Sequence, residues 1–248
     1  MDIKIRNLCI FYGKSSVLEN VDLTIPKGKI TAIIGRNGSG KSSLVSAIGG
    51  LADYKGEITV DKTDIKSLSR GEMARNVSVM TQNLPSPHVT VYHLASFGRT
   101  PYHSLLDKLN EDDLRIIDEA LKSSGIYHLK DRYVDTLSGG ERRLAFYAMS
   151  LARTCPIMIF DEATAYMDAD NEGMFSDKLA GLKSDGKTVI TVMHNISDAV
   201  RYADNIILLD KKRCVFFGTV NEILETDILE KTMNVKRYYA DGRTFFSY

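Results

Sequence analysis

The chain has 248 residues, and its 32 lysines and arginines balance its 32 aspartates and glutamates, so the formal net charge is zero. This balance argues against a nucleic-acid partner and against a polybasic membrane anchor. No apolar run approaches the roughly 18 residues that a membrane-spanning helix needs. The three widely spaced cysteines, Cys9, Cys155 and Cys214, are typical of a reduced cytosolic protein.

The first part of the chain predicts β-strands. Apolar and polar residues alternate over residues 3–34, as in strands that bury one face. Residues 26–28, Pro-Lys-Gly, predict a turn, and residues 29–34 are apolar enough to form a buried strand after it. Two further strands are predicted at 57–60 and 77–80.

Residues 35–42, Gly-Arg-Asn-Gly-Ser-Gly-Lys-Ser, match the G-x-x-x-x-G-K-[ST] pattern of a phosphate-binding loop. They follow the predicted buried strand and precede a helical stretch at 43–48. Such a turn directs unpaired backbone N–H groups at one point, where the positive end of the helix dipole favours an anion. The pattern places Lys41 on the phosphates and the Ser42 hydroxyl on Mg²⁺. A glycine-rich turn without a ligand is the alternative.

The character of the sequence changes after residue 84. Residues 84–87, Leu-Pro-Ser-Pro, interrupt the pattern, and residues 90–153 are mostly helical in character. One predicted helical face carries four apolar residues: Leu114, Ile117, Ala120 and Leu121.

Alternating strands and helices return in the last third of the chain. Strands are predicted at 157–160, 188–193 and 205–209, and a hairpin at 236–248 around Asp241-Gly242. The order of elements predicts an α/β fold with a parallel sheet and a helical insertion near 84–153.

Two carboxylates, Asp161 and Glu162, end the predicted strand at 157–160. In a chain that already holds a phosphate loop, Asp161 is expected to face Mg²⁺, directly or through water. Glu162 is placed to polarise a water molecule for attack on the γ-phosphate. An exposed acidic pair at a strand end is the structural alternative.

Residues 137–141, Leu-Ser-Gly-Gly-Glu, open a helix predicted at 142–153. The Ser138 hydroxyl and the glycine N–H groups form a second phosphate grip, although a simple helix cap has the same composition. Placed between a phosphate loop and an Asp-Glu strand, this motif resembles the signature motif of ATP-binding cassette (ABC) ATPases. The resemblance covers nearly the whole chain.

The resemblance implies an α/β fold of the ABC ATPase type. This fold is a P-loop NTPase (RecA-like) core with an N-terminal antiparallel β subdomain and a helical insertion subdomain. It implies one domain over 1–248, in which 1–83 and 154–248 form the core with the β subdomain and 84–153 form the helical subdomain.

The resemblance also implies ATP as the substrate and Mg²⁺ as the cofactor. The implied ATP contacts are Tyr12, Gly35, Asn37, Gly38, Ser39, Gly40, Lys41, Ser42, Ser43, Ser138, Gly139, Gly140 and Asp168. The implied metal contacts are Ser42, Gln82 and Asp161, and the implied catalytic residues are Glu162, His194, Lys41 and Gln82.

Several of these roles come from position alone. Tyr12 resembles the aromatic residue that stacks on adenine, and Gln82 resembles the Q-loop glutamine that contacts Mg²⁺ or water. Asp168 occupies the D-loop place at the dimer seam, and His194 resembles the switch histidine that contacts the γ-phosphate. A packed strand tyrosine and a structural histidine are the alternatives for Tyr12 and His194.

Two departures from the family pattern concern neighbours of these residues. Most relatives carry proline after the Asp-Glu pair, whereas this chain has Ala163. The D-loop at 165–168 and Asn195, after the switch histidine, are also less usual. They affect fine tuning rather than the presence of catalytic groups.

The resemblance implies three kinds of partner. Two cassettes pair head to tail, most simply two copies of this chain, and ATP lies between the phosphate loop of one copy and the signature motif of the other. Integral-membrane permease subunits use the resulting motion, and a substrate-binding protein takes part indirectly. The implied location is cytoplasmic, peripheral on the inner face of the cell membrane.

Residues 90–102, Thr-Val-Tyr-His-Leu-Ala-Ser-Phe-Gly-Arg-Thr-Pro-Tyr, resemble the stretch after the Q-loop in importer cassettes for ferric siderophores, haem and cobalamin. This resemblance favours uptake of an iron chelate. Cassettes of zinc and manganese importers share much of this segment, and a non-transport ABC ATPase of the iron–sulfur assembly type is the alternative from a different class.

Overall fold

The structure, a computed structural model, describes residues 1–104, 107–161, 169–240 and 242–247, with the backbone alone for 169–176. Glu162, Asp168 and Asp241 therefore lie outside the described residues. The chain forms two compact units. The first unit comprises Met1–Ser67 and Ser176–Tyr248, and the second comprises Leu68–Phe175. The predicted subdomain boundaries at residues 83 and 153 stay a prediction.

The described residues form both β-strands and α-helices. The strands are β1 (Ile3–Tyr12), β2 (Ser15–Ile25), β3 (Ile30–Gly35), β4 (Lys55–Val60), β5 (Thr63–Asp64), β6 (Val77–Met80), β7 (Ile157–Asp161), β8 (Thr188–Val192), β9 (Asn205–Asp210), β10 (Arg213–Thr219), β11 (Lys236–Ala240) and β12 (Arg243–Ser247). The α-helices are α1 (Lys41–Ile48), α2 (Arg70–Asn76), α3 (Val91–Ser96), α4 (Glu111–Ser124), α5 (Gly139–Ala152), α6 (Ala169–Ser184), α7 (Ile196–Tyr202), α8 (Val220–Leu224) and α9 (Ile228–Met233). Within the described ranges, no helix combines the length and the apolar character that crossing a membrane requires.

An antiparallel sheet in the first unit has the strand order β2-β1-β4-β5. Its alternation of buried and exposed residues follows the predicted pattern, with Ile3, Ile5, Leu8 and Ile10 of β1 all buried. The β1–β2 register shifts at irregularities after Ile5, which let a long hairpin bend. The predicted N-terminal antiparallel part of the fold is confirmed.

The parallel sheet of the first unit is built around β3, which pairs in parallel with β8 on one side and β9 on the other. Every residue of β3 and β8 is buried, as expected for strands covered on both faces. The strand β10 pairs antiparallel with β9 at the edge and was not predicted. The predicted C-terminal hairpin is present as β11 and β12.

The second unit joins a short parallel pair, β6 and β7, to the helices α2 to α5. The predicted apolar face of α4 is wrong at Leu114, which is 42% exposed. The buried stripe of α4 contains Asp113, Ile117, Ala120, Leu121 and Ser124. Asp113, the neighbour of Leu114, is buried on this face instead, because its carboxylate pairs with the buried Arg99.

The helix α5 begins earlier than predicted, at Gly139 instead of Arg142. A capping box explains this start, because Ser138 caps the helix and Glu141 at the third helical position bonds back to it. The two glycines are thereby drawn into the first helical turn.

Gly98 lies closer to α5 than any other residue type would allow. A Cβ at this position would lie 2.5 Å from the carbonyl oxygen of Met149 and 2.9 Å from the Ala152 Cβ.

We expect Gly98→Ala to lower the free energy of unfolding by about 1–3 kcal/mol through this overlap. Urea unfolding measures the change. Gly181→Ala is the matched control, since a Cβ there meets nothing within 4 Å, and it should raise stability by about 0.4–1 kcal/mol. Equal effects of the two substitutions would contradict the close contact.

Candidate functional site

The phosphate-loop sequence forms the predicted strand–loop–helix turn in the first unit. The strand β3 ends at Gly35, and α1 begins at Lys41. The Lys41 ammonium is buried and donates hydrogen bonds of 2.9 and 3.1 Å to the carbonyl oxygens of Gly35 and Arg36. The lysine therefore closes the loop into a ring, and α1, which follows it, begins with N–H groups that have no partner within the helix.

Two glycines allow this loop to lie against neighbouring strands. A Cβ at Gly35 would overlap the backbone carbonyl of Leu209 on β9 and would come within 2.6 Å of the Ser39 hydroxyl. Gly40 has a φ of 102° and faces Leu18 of β2, whose side chain would lie 2.7 Å from a Cβ there. Only glycine fits at either position, so the loop is fixed from both sides before any ligand arrives.

Ser39 carries the clearest sign that the loop is built for a ligand. The residue is 6% exposed, and its hydroxyl oxygen has no hydrogen-bond partner among the residues that the structure describes. A buried hydroxyl left in this state costs about 1–3 kcal/mol. A phosphate oxygen seated in the loop would complete its hydrogen bonding. The neighbouring Asn37, Gly38 and Ser42 are exposed and Ser43 is half-exposed, so the outer face of the loop is open.

Tyr12 and His194 flank the loop within the first unit. Tyr12 is the last residue of β1 and is 60% exposed, and the hairpin that it begins continues into β2, which packs on Gly40. Its ring is thus available for stacking. His194 is exposed and follows β8 by two residues. Because Val192 pairs in register with Ile33, β8 and β3 end at the same edge, where the loop begins.

The unusual Asn195 has a structural role beside His194. Its side-chain oxygen accepts hydrogen bonds from the N–H groups of Ser197 at 2.9 Å and Asp198 at 3.4 Å. It is therefore the cap of α7, a residue type that helix starts prefer. The spacing of asparagine and aspartate at 195 and 198 was a signal for this cap that the sequence analysis did not use.

In the second unit, Asp161 and Gln82 lie at one edge of the β6–β7 pair. Phe160 pairs in register with Met80, so the two strands end together. Asp161 is the last residue of β7 and is 5% exposed, while Gln82 follows β6 by two residues. The structure thus brings together the two residues predicted to hold Mg²⁺ from this part of the chain.

The signature segment forms an exposed helix start, also in the second unit. The Ser138 hydroxyl accepts a hydrogen bond of 3.3 Å from the Glu141 N–H, and the Ser138 N–H donates one of 2.8 Å to the Glu141 carboxylate. The Ser138 N–H and hydroxyl hold the pKa of Glu141 below its usual range. A Cβ on Gly139 or Gly140 would meet nothing within 4 Å, so the helix end is uncovered. An anion from another molecule can approach it.

The structure thus groups the predicted residues in two sets. Tyr12, the loop and His194 belong to the first unit, while Gln82, Asp161 and the signature segment belong to the second. The roles assigned to the individual residues stay predictions.

The chain is also similar to known proteins in sequence and in fold. The profile of a family described as "ABC transporter" matches residues 18–165, more than half of the chain. The ferric enterobactin transport ATP-binding protein FepC of Escherichia coli (strain K12) is 35% identical over 95% of this chain and 88% of its own length. The iron(3+)-hydroxamate import ATP-binding protein FhuC of Bacillus subtilis (strain 168) is 32% identical over 96% of this chain and 90% of its own length. A solved structure of a candidate metal-chelate type ABC transporter, in an inward-facing conformation, has a TM-score of 0.83 with 25% identity, and the match covers 98% of this chain and 95% of that one.

Ser39→Ala tests whether the unpartnered Ser39 hydroxyl serves the stability of the fold or the binding of ATP. We expect Ser39→Ala to leave the melting temperature of the ligand-free protein unchanged or slightly raised, because it removes a buried group without a partner. Affinity for ATP should fall about tenfold, since a hydrogen bond to a charged group is lost. Thermal melts and nucleotide titration measure the two effects, and Ser46→Ala in α1, the helix that follows the loop, is the control. A destabilised ligand-free protein with unchanged ATP affinity would show that the hydroxyl serves the fold.

Proposed function

The chain belongs to the ABC transporter family, and from this premise we propose that it is the ATP-hydrolysing subunit of an importer for an iron chelate, a ferric siderophore or haem. The observation that carries the ATPase part is the phosphate loop, in which Lys41 closes the ring and the buried Ser39 hydroxyl lacks a partner. Hydrolysis at this subunit is coupled to transport across a membrane.

The choice of cargo is supported by two relatives. Their printed names state ferric enterobactin transport and iron(3+)-hydroxamate import, and each aligns with more than nine-tenths of this chain. The solved structure of a candidate metal-chelate transporter points to the same class of cargo. A zinc or manganese importer cassette and an iron–sulfur assembly ATPase are the competing functions, and nothing in the site itself favours either.

The three residues predicted to hold Mg²⁺ have donor groups of the chemistry that this ion prefers. The Ser42 hydroxyl is exposed at the start of α1, and Gln82 and Asp161 supply an amide and a carboxylate oxygen. Hard oxygen ligands of this kind suit Mg²⁺. We assign the metal to these three residues from the family resemblance. When bound, the ion neutralises charge that develops on the phosphate oxygens.

The remaining residues position the substrate and the attacking water. Tyr12 stacks on the base, and the N–H groups of the loop and Lys41 hold the phosphates. Glu162 accepts a hydrogen bond from the water and orients it toward the γ-phosphorus, while His194 contacts the γ-phosphate. Since catalysis of phosphoryl transfer is mainly positioning and charge stabilisation, assembly of the site controls the rate.

A second cassette is needed to complete the site. In the proposed head-to-tail pair, the uncovered helix start at 138–140 of one copy closes over ATP held by the phosphate loop of the other. Binding of ATP closes the pair and hydrolysis reopens it. The motion is passed to permease subunits, so the chain acts on the inner face of the membrane. A substrate-binding protein delivers the cargo to the permease.

Glu162→Gln tests the role of the proposed base. The amide has nearly the same shape as the carboxylate but cannot accept the proton, so turnover should fall at least about a hundredfold. ATP affinity should persist, and a long-lived ATP-bound dimer should appear in size-exclusion chromatography. Lys41→Ala is the control that should lose nucleotide binding itself. Hydrolysis at the parental rate in Glu162→Gln would refute the role given to Glu162.

Co-purification tests the transport function. The tagged chain is isolated from gently solubilised native membranes, and its companions are identified by mass spectrometry. We expect a polytopic permease, and a substrate-binding protein whose ligand can then be determined with ferric siderophores, haem and zinc as probes. Recovery without any integral-membrane protein would overturn the importer and favour the assembly ATPase. A zinc-specific binding protein would overturn the iron chelate alone.

A further inference from the structure

Residues 97–102 belong to the segment from which the sequence predicted the cargo. We call them the clamp, because their contacts hold neighbouring elements of the second unit together. It forms a short 3₁₀ turn, Phe97–Tyr102, in the second unit. Arg99 at its centre is 7% exposed, so its guanidinium is not available to a partner protein. The contacts of this turn reach three neighbouring elements, two of which lead to residues of the proposed site.

The first element is the connection between α5 and β7. Arg99 Nη1 donates hydrogen bonds of 2.9 Å to the carbonyl oxygen of Ala152 and 3.1 Å to the Thr154 hydroxyl. The Tyr102 hydroxyl donates one of 2.7 Å to the carbonyl oxygen of Arg153. Thr154 has a φ of 55°, a conformation that a β-branched residue rarely adopts. These bonds hold a strained turn that joins the signature helix to the strand ending at Asp161.

The second element is the start of α4. Arg99 Nε donates a hydrogen bond of 2.9 Å to Asp113, and the guanidinium lies 4.1 Å from the centre of the Tyr102 ring. Asp113 also accepts from the Asn110 N–H at 3.0 Å, and His103 Nε2 lies 2.7 Å from the same carboxylate. Both charges of the pair are buried, and each has several partners, which is the condition under which a buried pair is tolerated.

The third element is the last turn of α2, directly before β6, the strand that leads to Gln82. Arg75 Nη1 donates a hydrogen bond of 2.9 Å to the carbonyl oxygen of Pro101. Near the same place, the Cys155 thiol donates one of 3.2 Å to the carbonyl oxygen of Ala74. The helix α2 is thus tied both to the turn and to the α5–β7 connection.

We propose that Arg99 is a positioning residue that fixes the direction of the signature helix α5 relative to the β6–β7 pair, and thereby sets how well Ser138–Gly140 closes on ATP held by a second copy. Arg99 touches no substrate and acts through the backbone of residues 152–154. A guanidinium is required because its planar fork serves Asp113 and the Ala152 carbonyl in different directions, which a single ammonium cannot do. This inference rests on the proposed cassette pair.

The test separates nucleotide binding from dimer formation. Arg99→Met is introduced into the full chain carrying Glu162→Gln, and ATP binding and ATP-dependent dimerisation are measured by nucleotide titration and analytical ultracentrifugation. ATP affinity of the monomer should stay unchanged, because the phosphate loop belongs to the other unit. The dimer dissociation constant should rise about tenfold, since a small misplacement of a distant group has effects of this size or larger. Arg99→Lys should not restore dimerisation.

A milder variant guards against loss of folding. Tyr102→Phe removes only the hydroxyl bond to the α5–β7 connection and should weaken the dimer about threefold. Arg115→Ala is the matched control, because Arg115 forms exposed ion pairs with Asp112 and Glu119 on the same helix α4, and it should dimerise like the parent.

The outcomes separate the inference from the function on which it rests. Parental dimerisation in Arg99→Met, or in Tyr102→Phe when Arg99→Met does not fold, would overturn the positioning role. A parallel loss of ATP affinity would also overturn it, because the clamp would then support the fold in general. A Glu162→Gln parent that forms no ATP-dependent dimer would refute the proposed function instead.

Discussion

The close packing of the phosphate loop between two strands is the constraint on which the rest of the first unit depends. The loop can curl around an anion only if its backbone approaches β9 at Gly35 and β2 at Gly40. A side chain at residue 35 would collide with β9, and a side chain at residue 40 would collide with β2. The strand order that places β9 beside β3, and the antiparallel hairpin that brings Leu18 against the loop, follow from this requirement. Lys41 also donates two hydrogen bonds to carbonyl oxygens of the loop, those of Gly35 and Arg36. The binding geometry exists before the ligand, so little ordering entropy is lost on binding.

Sequence periodicity predicted the parts of the fold whose burial is uniform. The fully buried β3, β7 and β8 were predicted nearly in their bounds, and the alternating β1 and β2 were predicted in kind, as strands within residues 3–34. The edge strand β10 was missed because none of its residues is fully buried, and short helices such as α7 to α9 contain too few turns for a period to show. Leu114 shows a different limit. Apolar spacing selected it, but burial went to the adjacent Asp113 through a partner 14 residues away.

The site was predictable where a motif carries its own geometry, as in the phosphate loop, and less so where a residue depends on distant neighbours. Ser39 looked like any loop residue until its burial without a partner was seen. Arg99 belonged to a segment that the sequence linked to cargo, yet its guanidinium is directed inward at two helices. Resemblance in such a segment therefore reports a shared internal architecture of the helical part.

The signature segment shows how function can arise from a common local device. Four helices among the described residues begin with a capping box, at Ser69, Asn110, Ser138 and Thr219. At α4 the first turn carries three acidic residues, which would repel a phosphate, and α2 and α8 are only 7 and 5 residues long. At α5 the cap is followed by two glycines whose outer faces are open, on a helix of 14 residues. The cap fixes the helix start, and the missing side chains leave its N–H groups and positive dipole end accessible to an anion. Since the described residues leave this helix end uncovered, a ligand held by a second copy, as in the proposed pair, can reach it.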